Sequence, residues 1–420
     1  MSRPTGPAAP RVDEEFWGPP RSGLPLSRSL LVNMMGLCVG VMVAFTVVGV
    51  IELWPHGHGP SAKSFGPVKT VAARVTDVAE VSCGQPGARN CRRVSVKLLE
   101  GPGSGHTSHF TITGSLGSLA IASGDKIRVY RNQLPPQAVQ AGGRVDPYSF
   151  ADFDRLTPML WLAVGFVVLL LLTGRLHGLR AVLGLAASLA IVIKFVIPSI
   201  IHGRDPLEVA IVGAFAVMLV TMPLSYGFGA KMISAWLGTA ASLLLAAGLA
   251  SAFTHVAHLS GVSSDESIYL GATQSGLSLQ GLLVAGMVIG ALGVLLDLTV
   301  SQASTVIALR RANPSLGFGG LFRGAIEVGH DHIAATVNTL VFAYAGASLP
   351  VLLIFTIGGT SFTDAVNGEA VAEEVIATLV GSIGLIASMP ITTALAALLA
   401  PRMSDRQLLN AAHAGHAHAH

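Results

Sequence analysis

Charge is the scarcest property of this sequence. Only 12% of its 420 residues are Asp, Glu, Lys or Arg, whereas 51% are hydrophobic; a soluble domain carries about twice that charge. The net charge is only +3, and no basic run is interleaved with aromatic residues, which argues against nucleic acid as a partner. The composition therefore predicts an α-helical polytopic membrane protein, whose first partner is the lipid bilayer.

Motifs of soluble enzymes are also missing. The sequence contains no phosphate-binding loop G-x-x-x-x-G-K-[ST], no G-x-S-x-G turn and no H-E-x-x-H zinc motif. Glu327 and His330 form a single E-x-x-H, which is a weak metal signal when no second copy accompanies it. We therefore predict a protein that is not an enzyme and that has neither a cofactor nor a metal site.

Cysteine is rare, with three residues in the whole chain. Cys38 lies in an apolar run, while Cys83 and Cys91 stand eight residues apart in the polar sequence SCGQPGARNC. That spacing predicts a small disulfide loop if the segment faces an oxidising compartment. The alternative is a zinc site, which would need two more ligands, with His106 and His109 as the nearby candidates.

The first apolar run fixes the orientation of the chain. Residues 1–29 are rich in proline, arginine and serine, so we expect a disordered cytoplasmic tail. Residues 30–53 form an apolar run that is long enough to be a first transmembrane helix. Four arginines precede this run, and no basic residue follows it before Lys63. Under the positive-inside rule the N-terminus then faces the cytoplasm.

A segment of β character follows the first helix. Residues 56–135 contain short runs with β-branched, partly alternating side chains, separated by turn residues, and no stretch that could span a membrane. We predict a small extracytoplasmic β domain, barrel- or sandwich-like, which could bind a partner protein of the cell envelope. Residues 136–156 form the linker back to the membrane.

Apolar runs then follow in close order from residue 157 to residue 400. Basic residues concentrate in alternate loops and acidic residues in the others, which predicts that both termini are cytoplasmic. With the first helix the count is about eight transmembrane helices, and residues 401–420 form a His-rich cytoplasmic tail. The seven predicted spans of this region are 157–174, 179–201, 206–224, 231–254, 280–302, 332–356 and 372–400.

One carboxylate interrupts the fifth of these seven spans. An ionisable residue inside a span costs a few kcal/mol, so Asp297 is expected to serve the function. At helical spacing it shares a face with Gly286, Gly290 and Gly293 on one side and with Ser301 on the other. Such small residues favour helix packing, within the chain or between chains. Two interpretations of Asp297 stay open: an ion or proton carrier, or a cap that needs only a hydrogen bond.

A second polar stripe precedes the next span. Glu327, Asp331 and Asn338 share one helix face at spacings of four and seven residues. Together with Asp297 and Ser301 they predict an ion or proton path, and hence a proton- or ion-coupled permease or export accessory. The alternative function is a non-transporting scaffold whose external β domain binds an envelope partner.

Two segments carry a resemblance to a known family. The sequences GATQSGLSLQGLLVAGMVIGALGVLLDLTVSQAS and GHDHIAATVNTLVFAYAGASLP resemble the YibE/F-like family of bacterial multi-pass membrane proteins. The resemblance covers about residues 160–400 and implies a location in the bacterial plasma membrane. That family has no settled biochemical activity, so the resemblance supports the topology more than the function.

A second likeness concerns the carboxylate itself. The pattern G-x-x-x-D followed by A-I-x-x-G and T-x-N is similar to the resistance–nodulation–division and SecD/SecF permeases, in which an intramembrane aspartate takes part in proton transfer. This likeness implies a proton-transfer role for Asp297, although those permeases have further spans and paired external domains. The matching positions are Gly293, Asp297, Ala325, Ile326, Gly329, Thr336 and Asn338.

Overall fold

The computed structural model describes residues 28–56, 70–83, 89–101, 103–114, 116–132, 146–274 and 276–402. The predicted tails fall almost wholly outside these residues, as does much of the predicted linker. The chain divides into two compact units. One comprises Ser61–Leu169, and the other comprises Met1–Pro60 together with Leu170–His420.

The first unit is built on one antiparallel sheet. A bulge between Val75 and Asp77 shifts the pairing of the first two strands by one residue. The five strands are β1 (Thr70–Glu80), β2 (Arg92–Leu98), β3 (Thr107–Ile112), β4 (Lys126–Arg131) and β5 (Tyr148–Phe153). Their order in the sheet is β3-β2-β1-β4-β5.

Alternation along the strands produces the core of this sheet. Val94, Val96 and Leu98 of β2 point to one side, where Phe110 and Ile127 join them in a fully buried cluster. Because successive side chains of a strand alternate between faces, the intervening polar residues lie on the outer surface. The β character predicted for this segment is therefore found.

A side-chain hydrogen bond draws the two edge strands together. The backbone N–H of Thr111 in β3 donates to Asp146, just before β5, at 2.8 Å. The sheet is thus a half-barrel rather than a flat layer. Cys83 and Cys91 are joined in a disulfide, with their Cα atoms 5.4 Å apart, in the connection between β1 and β2.

The second unit is helical, and the second helix of the chain runs from the first unit into it. A π-helical turn, Val192–Val196, joins the second helix to the third. The helices are α1 (Arg28–Leu53), α2 (Leu156–Ile191), α3 (Ile197–Ile201), α4 (Pro206–Tyr226), α5 (Ala230–Val256), α6 (Asp265–Thr273), α7 (Leu279–Ala312), α8 (Phe318–Ala347), α9 (Leu349–Ile357), α10 (Phe362–Asn367) and α11 (Glu369–Leu399).

Side chains define several helix starts. Asp205 caps α4 by accepting from two backbone N–H groups, and Pro206 follows at the first helical position. Ser264, Ser278 and Ser361 cap α6, α7 and α10 in the same way. Each cap satisfies donors that the first turn of a helix leaves free, so these loops have defined ends.

Helix α2 folds back on itself in its middle. Arg175 has φ 46° and ψ −123°, outside helical values. Gly178 then lies so close to the carbonyl oxygen of Leu170 that a Cβ would overlap it. In a straight helix these two residues would be about 12 Å apart. The predicted spans 157–174 and 179–201 lie on either side of this reversal.

A second break separates α8 from α9. The two helices are bent by 57° at Ser348. Pro350 sits in the first turn of α9, where its missing N–H is tolerated, and it cannot continue the hydrogen-bond ladder of α8. The predicted span 332–356 is thus a bent pair.

Small residues let α5, α7 and α11 pack closely at the centre of the helical unit. Gly238 of α5 lies against Thr392 of α11, where a Cβ would overlap its hydroxyl oxygen. Thr239 and Thr299 share a buried hydrogen bond of 2.6 Å between α5 and α7. Helices α4 and α8 pack on this central group, and α1 packs on α4.

Length and composition suit this unit to a bilayer. Within the part of the chain that the structure describes, six helices are long and apolar enough to cross a membrane, or up to seven if the bent pair of α8 and α9 is one span. One of the six is the 46-residue stretch Leu156–Ile201, which contains the reversal at Arg175.

Candidate functional site

The stripe of small residues on α7 lies on the surface of the helical unit. A Cβ added at Gly286 or at Gly293 would meet no atom within 4 Å. At Gly290 the nearest atom is the hydroxyl oxygen of Tyr344 in α8, at 3.4 Å. Among the described residues, therefore, only Tyr344 would lie within 4 Å of a Cβ at any of these three glycines.

Asp297 continues the stripe and meets a histidine. Its side chain is 74% exposed, and its Oδ2 lies 3.8 Å from Nε2 of His332 in α8. The His332 side chain is 37% exposed, but its Nε2 atom is buried and has no hydrogen-bond partner among the described residues. The gap is just longer than a hydrogen bond, so a shift of less than about 1 Å would join the two groups. Imidazole and carboxylate are side chains that exchange protons near neutral pH.

The hairpin between α7 and α8 explains why these two residues meet. Asp297 lies 16 residues before the helix cap Asn313, and His332 lies 15 residues after Gly317. Nearly equal distances from the turn place them at about the same level of two antiparallel helices. Arg310 fixes the turn by donating to the backbone oxygen of Leu316 at 2.8 Å.

A buried network behind the pair fixes its spacing. The side chain of Gln302 in α7 donates to the backbone oxygen of Ala325 in α8 at 2.6 Å and to the hydroxyl of Thr393 in α11 at 2.9 Å. Gly329 lets the three helices approach, because a Cβ there would overlap Met389. Helices α7 and α8, which carry Asp297 and His332, are thus hydrogen-bonded to each other at Gln302, about one turn after Asp297.

The second predicted stripe lies elsewhere. Glu327, Asp331 and Asn338 are exposed and have no hydrogen bond or ion pair with Asp297 among the described residues. Successive helical residues point about 100° apart, so Asp331 is turned away from the direction of its neighbour His332. Ser301 is half-buried, one turn beyond Asp297 on the same stripe of α7.

A cavity opens at the opposite end of the α7 stripe. It holds about 240 Å³, and Gly286 forms part of its wall. Its polar lining comes from Ser267, Tyr344, Glu373 and Glu374. Apolar residues of α7 and α11 complete the lining, which comprises Leu279, Leu282, Leu283, Met287 and Ala377 besides Gly261.

The loop before α6 donates hydrogen bonds to two acidic residues of α11, and one of them, Glu373, lines the cavity. Ser263 donates to Glu373 at 2.6 Å, and Ser260 and Gly261 donate to the carboxylate of Glu369. Gly261 has φ +75°, a backbone conformation that favours glycine. Glu374 lines the cavity without a described hydrogen-bond partner.

The cavity and the Asp297–His332 pair lie on one line. From Gly286 at the cavity to Asp297 there are 11 residues of α7, or about 16 Å. Between them α7 carries Gly290, next to the hydroxyl of Tyr344, and Gly293, where a Cβ would meet no atom within 4 Å. We call this line from the cavity to Asp297 the α7 track.

Comparison with known proteins shows to which family the region that contains the α7 track belongs. A family model described as YibE/F-like protein matches residues 162–402. The chain belongs to the YibE/F-like family. No curated protein and no solved structure matches it.

The YibE/F-like region therefore contains every residue of the α7 track, and the resemblance seen in the sequence is confirmed. Sequence reasoning did not find His332, Tyr344, Glu373 or Glu374 as site residues. Glu373 and Glu374 fall at the start of the predicted span 372–400, and the structure shows them in the second turn of the helix that begins at Glu369. Among the described residues, no group of three or more His, Cys, Asp and Glu side chains is arranged to hold a metal ion.

Proposed function

We propose that this YibE/F-like protein is a proton- or ion-coupled membrane permease or export accessory, in which Asp297 carries the proton and His332 exchanges it. The observation that carries the proposal is the pair itself. A carboxylate on an apolar helix faces a buried imidazole nitrogen at 3.8 Å, with no other ion pair for either group among the described residues. An ionisable pair at such a place is typical of a proton relay.

The length of α7 supports a position for Asp297 near one boundary of the bilayer. The helix has 34 residues and rises about 51 Å, whereas the hydrocarbon core is about 30 Å thick. With Leu279 at one boundary, Asp297 lies about 27 Å along the helix, close to the other. Arg310 and Arg311 at the far end favour the cytoplasmic side for that boundary.

The membrane topology is part of the same proposal. Dividing the stretch Leu156–Ile201 at Arg175, and counting α8 with α9 as one span, makes eight crossings. Both termini are then cytoplasmic, and the β half-barrel lies outside the bacterial plasma membrane. The cavity at Glu373 and Glu374 would open to the side opposite Asp297, and because its lining reaches Leu279, the cavity and the α7 track together would extend over about 27 Å of the membrane.

Exposure of Asp297 supports a hydrated groove at this place. A carboxylate facing hydrocarbon would cost several kcal/mol, so lipid is a poor neighbour for a side chain that is 74% exposed. Glycines on the same stripe leave room for water beside the helix, and the Tyr344 hydroxyl supplies a polar group half-way. Glu327 and Asp331 would then serve as the cytoplasmic approach to the pair, whereas Asn338 lies about 9 Å further along α8, on the side of the cavity.

The carrier role of Asp297 is tested by measuring proton binding to the protein, which requires no transported substrate. Vesicles containing the full-length protein are adsorbed on a solid-supported membrane and exposed to a pH jump. Proton binding within the membrane produces a transient current above that of protein-free vesicles. A wild-type protein that gives no such current at any pH between 5 and 9 would reject the carrier role.

A second function, a non-transporting scaffold, has one observation in its favour. The first unit is a separate compact domain with its own buried core and disulfide. A scaffold predicts that replacing residues 60–150 by a short linker removes function, whereas neutralising Asp297 has no effect. The carrier proposal predicts the reverse for Asp297, so the two variants distinguish the functions.

A further inference from the structure

Three cationic side chains form one row across the centre of the β sheet. Arg74 of β1 pairs directly with Lys97 of β2 on one side and with Lys126 of β4 on the other. Directly paired residues of antiparallel strands present their side chains on the same face, with Cβ atoms about 5 Å apart. All three are exposed. Like charges in such positions destabilise a sheet, so the fold gives no reason for the row.

None of the three forms an ion pair with a carboxylate among the described residues. The carboxylate of Asp154, next to Lys126, accepts instead from the backbone N–H of Leu156 at 3.2 Å. The nearby Arg128 is different, because it donates to Thr70 and lies 3.8 Å from Glu100. Arg155 is also paired, with Asp152 at 2.7 Å. The row Lys97–Arg74–Lys126 therefore leaves three positive charges free to bind an anion outside the described residues.

The row lies beside the point where the chain enters an apolar helix. The backbone oxygen of Lys126 accepts a hydrogen bond from the N–H of Asp154 at 2.9 Å. Strand β5 ends at Phe153, and α2 begins at Leu156. The stretch that α2 begins is one of those long and apolar enough to cross a bilayer. Lys126 is thus hydrogen-bonded to the short connection that leads directly into a candidate membrane span.

We propose that the row Lys97–Arg74–Lys126 binds the headgroups of anionic phospholipids at the bilayer surface. The ligand is identified by charge complementarity and by the short connection to α2, which keeps the lipid surface at a high effective concentration. Each Lys or Arg close to an anionic membrane surface strengthens binding roughly fivefold. Arg74 occupies the middle of the row and contributes to the field at both lysines.

The test measures how fast the two lysine amines are acylated. The full-length protein is placed in lipid discs of phosphatidylcholine alone or with phosphatidylglycerol, and the modification of Lys97 and Lys126 is quantified by peptide mass spectrometry. We expect phosphatidylglycerol to slow the reaction of both lysines severalfold at low salt, and high salt to abolish the difference. Arg74→Gln should remove most of this protection, whereas Arg93→Gln, a matched loss of one exposed charge on β2, should retain it.

Three results would overturn the proposal. The lysines could react equally fast in both kinds of disc. Protection could be the same in Arg74→Gln as in the wild type, which would mean a non-specific effect of the charged surface. Finally, inorganic phosphate or a soluble polyphosphate could protect the lysines in phosphatidylcholine discs while phosphatidylglycerol does not, which would assign the row to a soluble anion.

Discussion

Replacing Asp297 by Asn separates the carrier role from a structural one. The two side chains have nearly the same shape, and the Asp297 side chain is 74% exposed with no described hydrogen bond. With His332 neutral, an exposed substitution of this kind usually changes the free energy of unfolding by about 0.5 kcal/mol or less. The variant should therefore insert and fold as the wild type does, while losing the group that binds the proton.

The geometry also sets the strength of the Asp297–His332 pair. At 3.8 Å the attraction between a carboxylate and a protonated imidazole is about 1 kcal/mol in water-like surroundings and about 4 kcal/mol at an effective dielectric constant of 20. An attraction of this size orients the two groups without trapping the proton. A carrier needs that property, because its proton must leave again.

The assay is the transient current after a pH jump on a solid-supported membrane. We expect Asp297→Asn to reduce the current to that of protein-free vesicles, and Asp297→Glu to retain part of it. Glu266→Gln is the matched control, since Glu266 is an exposed carboxylate on α6 with no described contact. An unchanged current in Asp297→Asn, at equal protein content and melting temperature, would refute the reasoning.

Three further predictions follow from the contacts. His332→Gln should lower the transient current severalfold and leave the melting temperature within about 2 °C, since the imidazole nitrogen has no described hydrogen bond to lose; a normal current would remove His332 from the relay. Gly238→Ala should destabilise the protein by about 1–3 kcal/mol in thermal melts, because its Cβ would overlap Thr392. The control is Gly248→Ala on the same helix, whose Cβ meets no atom within 4 Å and which should be neutral or stabilising by up to about 1 kcal/mol. Equal melting temperatures of the two variants would contradict the packing of Gly238 against Thr392. Replacing Cys83 and Cys91 by serine should cost the β half-barrel about 2–3 kcal/mol, measured as its loss of resistance to proteolysis, which reductant should reproduce in the wild type.

The helical unit could be predicted in outline because apolar runs report directly on spanning helices. The break at Arg175 falls between the two predicted spans 157–174 and 179–201. The bend at Ser348 lies two residues before Pro350, one of the prolines at or inside the apolar runs. A proline near a helix end is compatible with both a straight and a bent continuation, so sequence alone does not distinguish them.

The site was predicted only in part, for a geometric reason. Asp297 and the glycines of its stripe follow from spacing along one helix, which sequence gives. His332 depends on the rotation of α8 against α7, which Gln302 and Gly329 fix through contacts between helices. The spacing of polar residues on α8 favours Asp331, one residue away, and a rotation of about 100° separates the two directions.

The protonation of Asp297 in the bilayer is the most direct measure of the carrier role. Dicyclohexylcarbodiimide enters membranes and reacts with carboxyl groups in their protonated form, so it reports a proton on Asp297 when the modified peptide is quantified. We predict that Asp297 is labelled in lipid discs, that labelling falls as the pH rises, and that it abolishes the transient current in proportion. An unlabelled Asp297 at every pH, or a fully labelled protein with an undiminished current, would contradict the account.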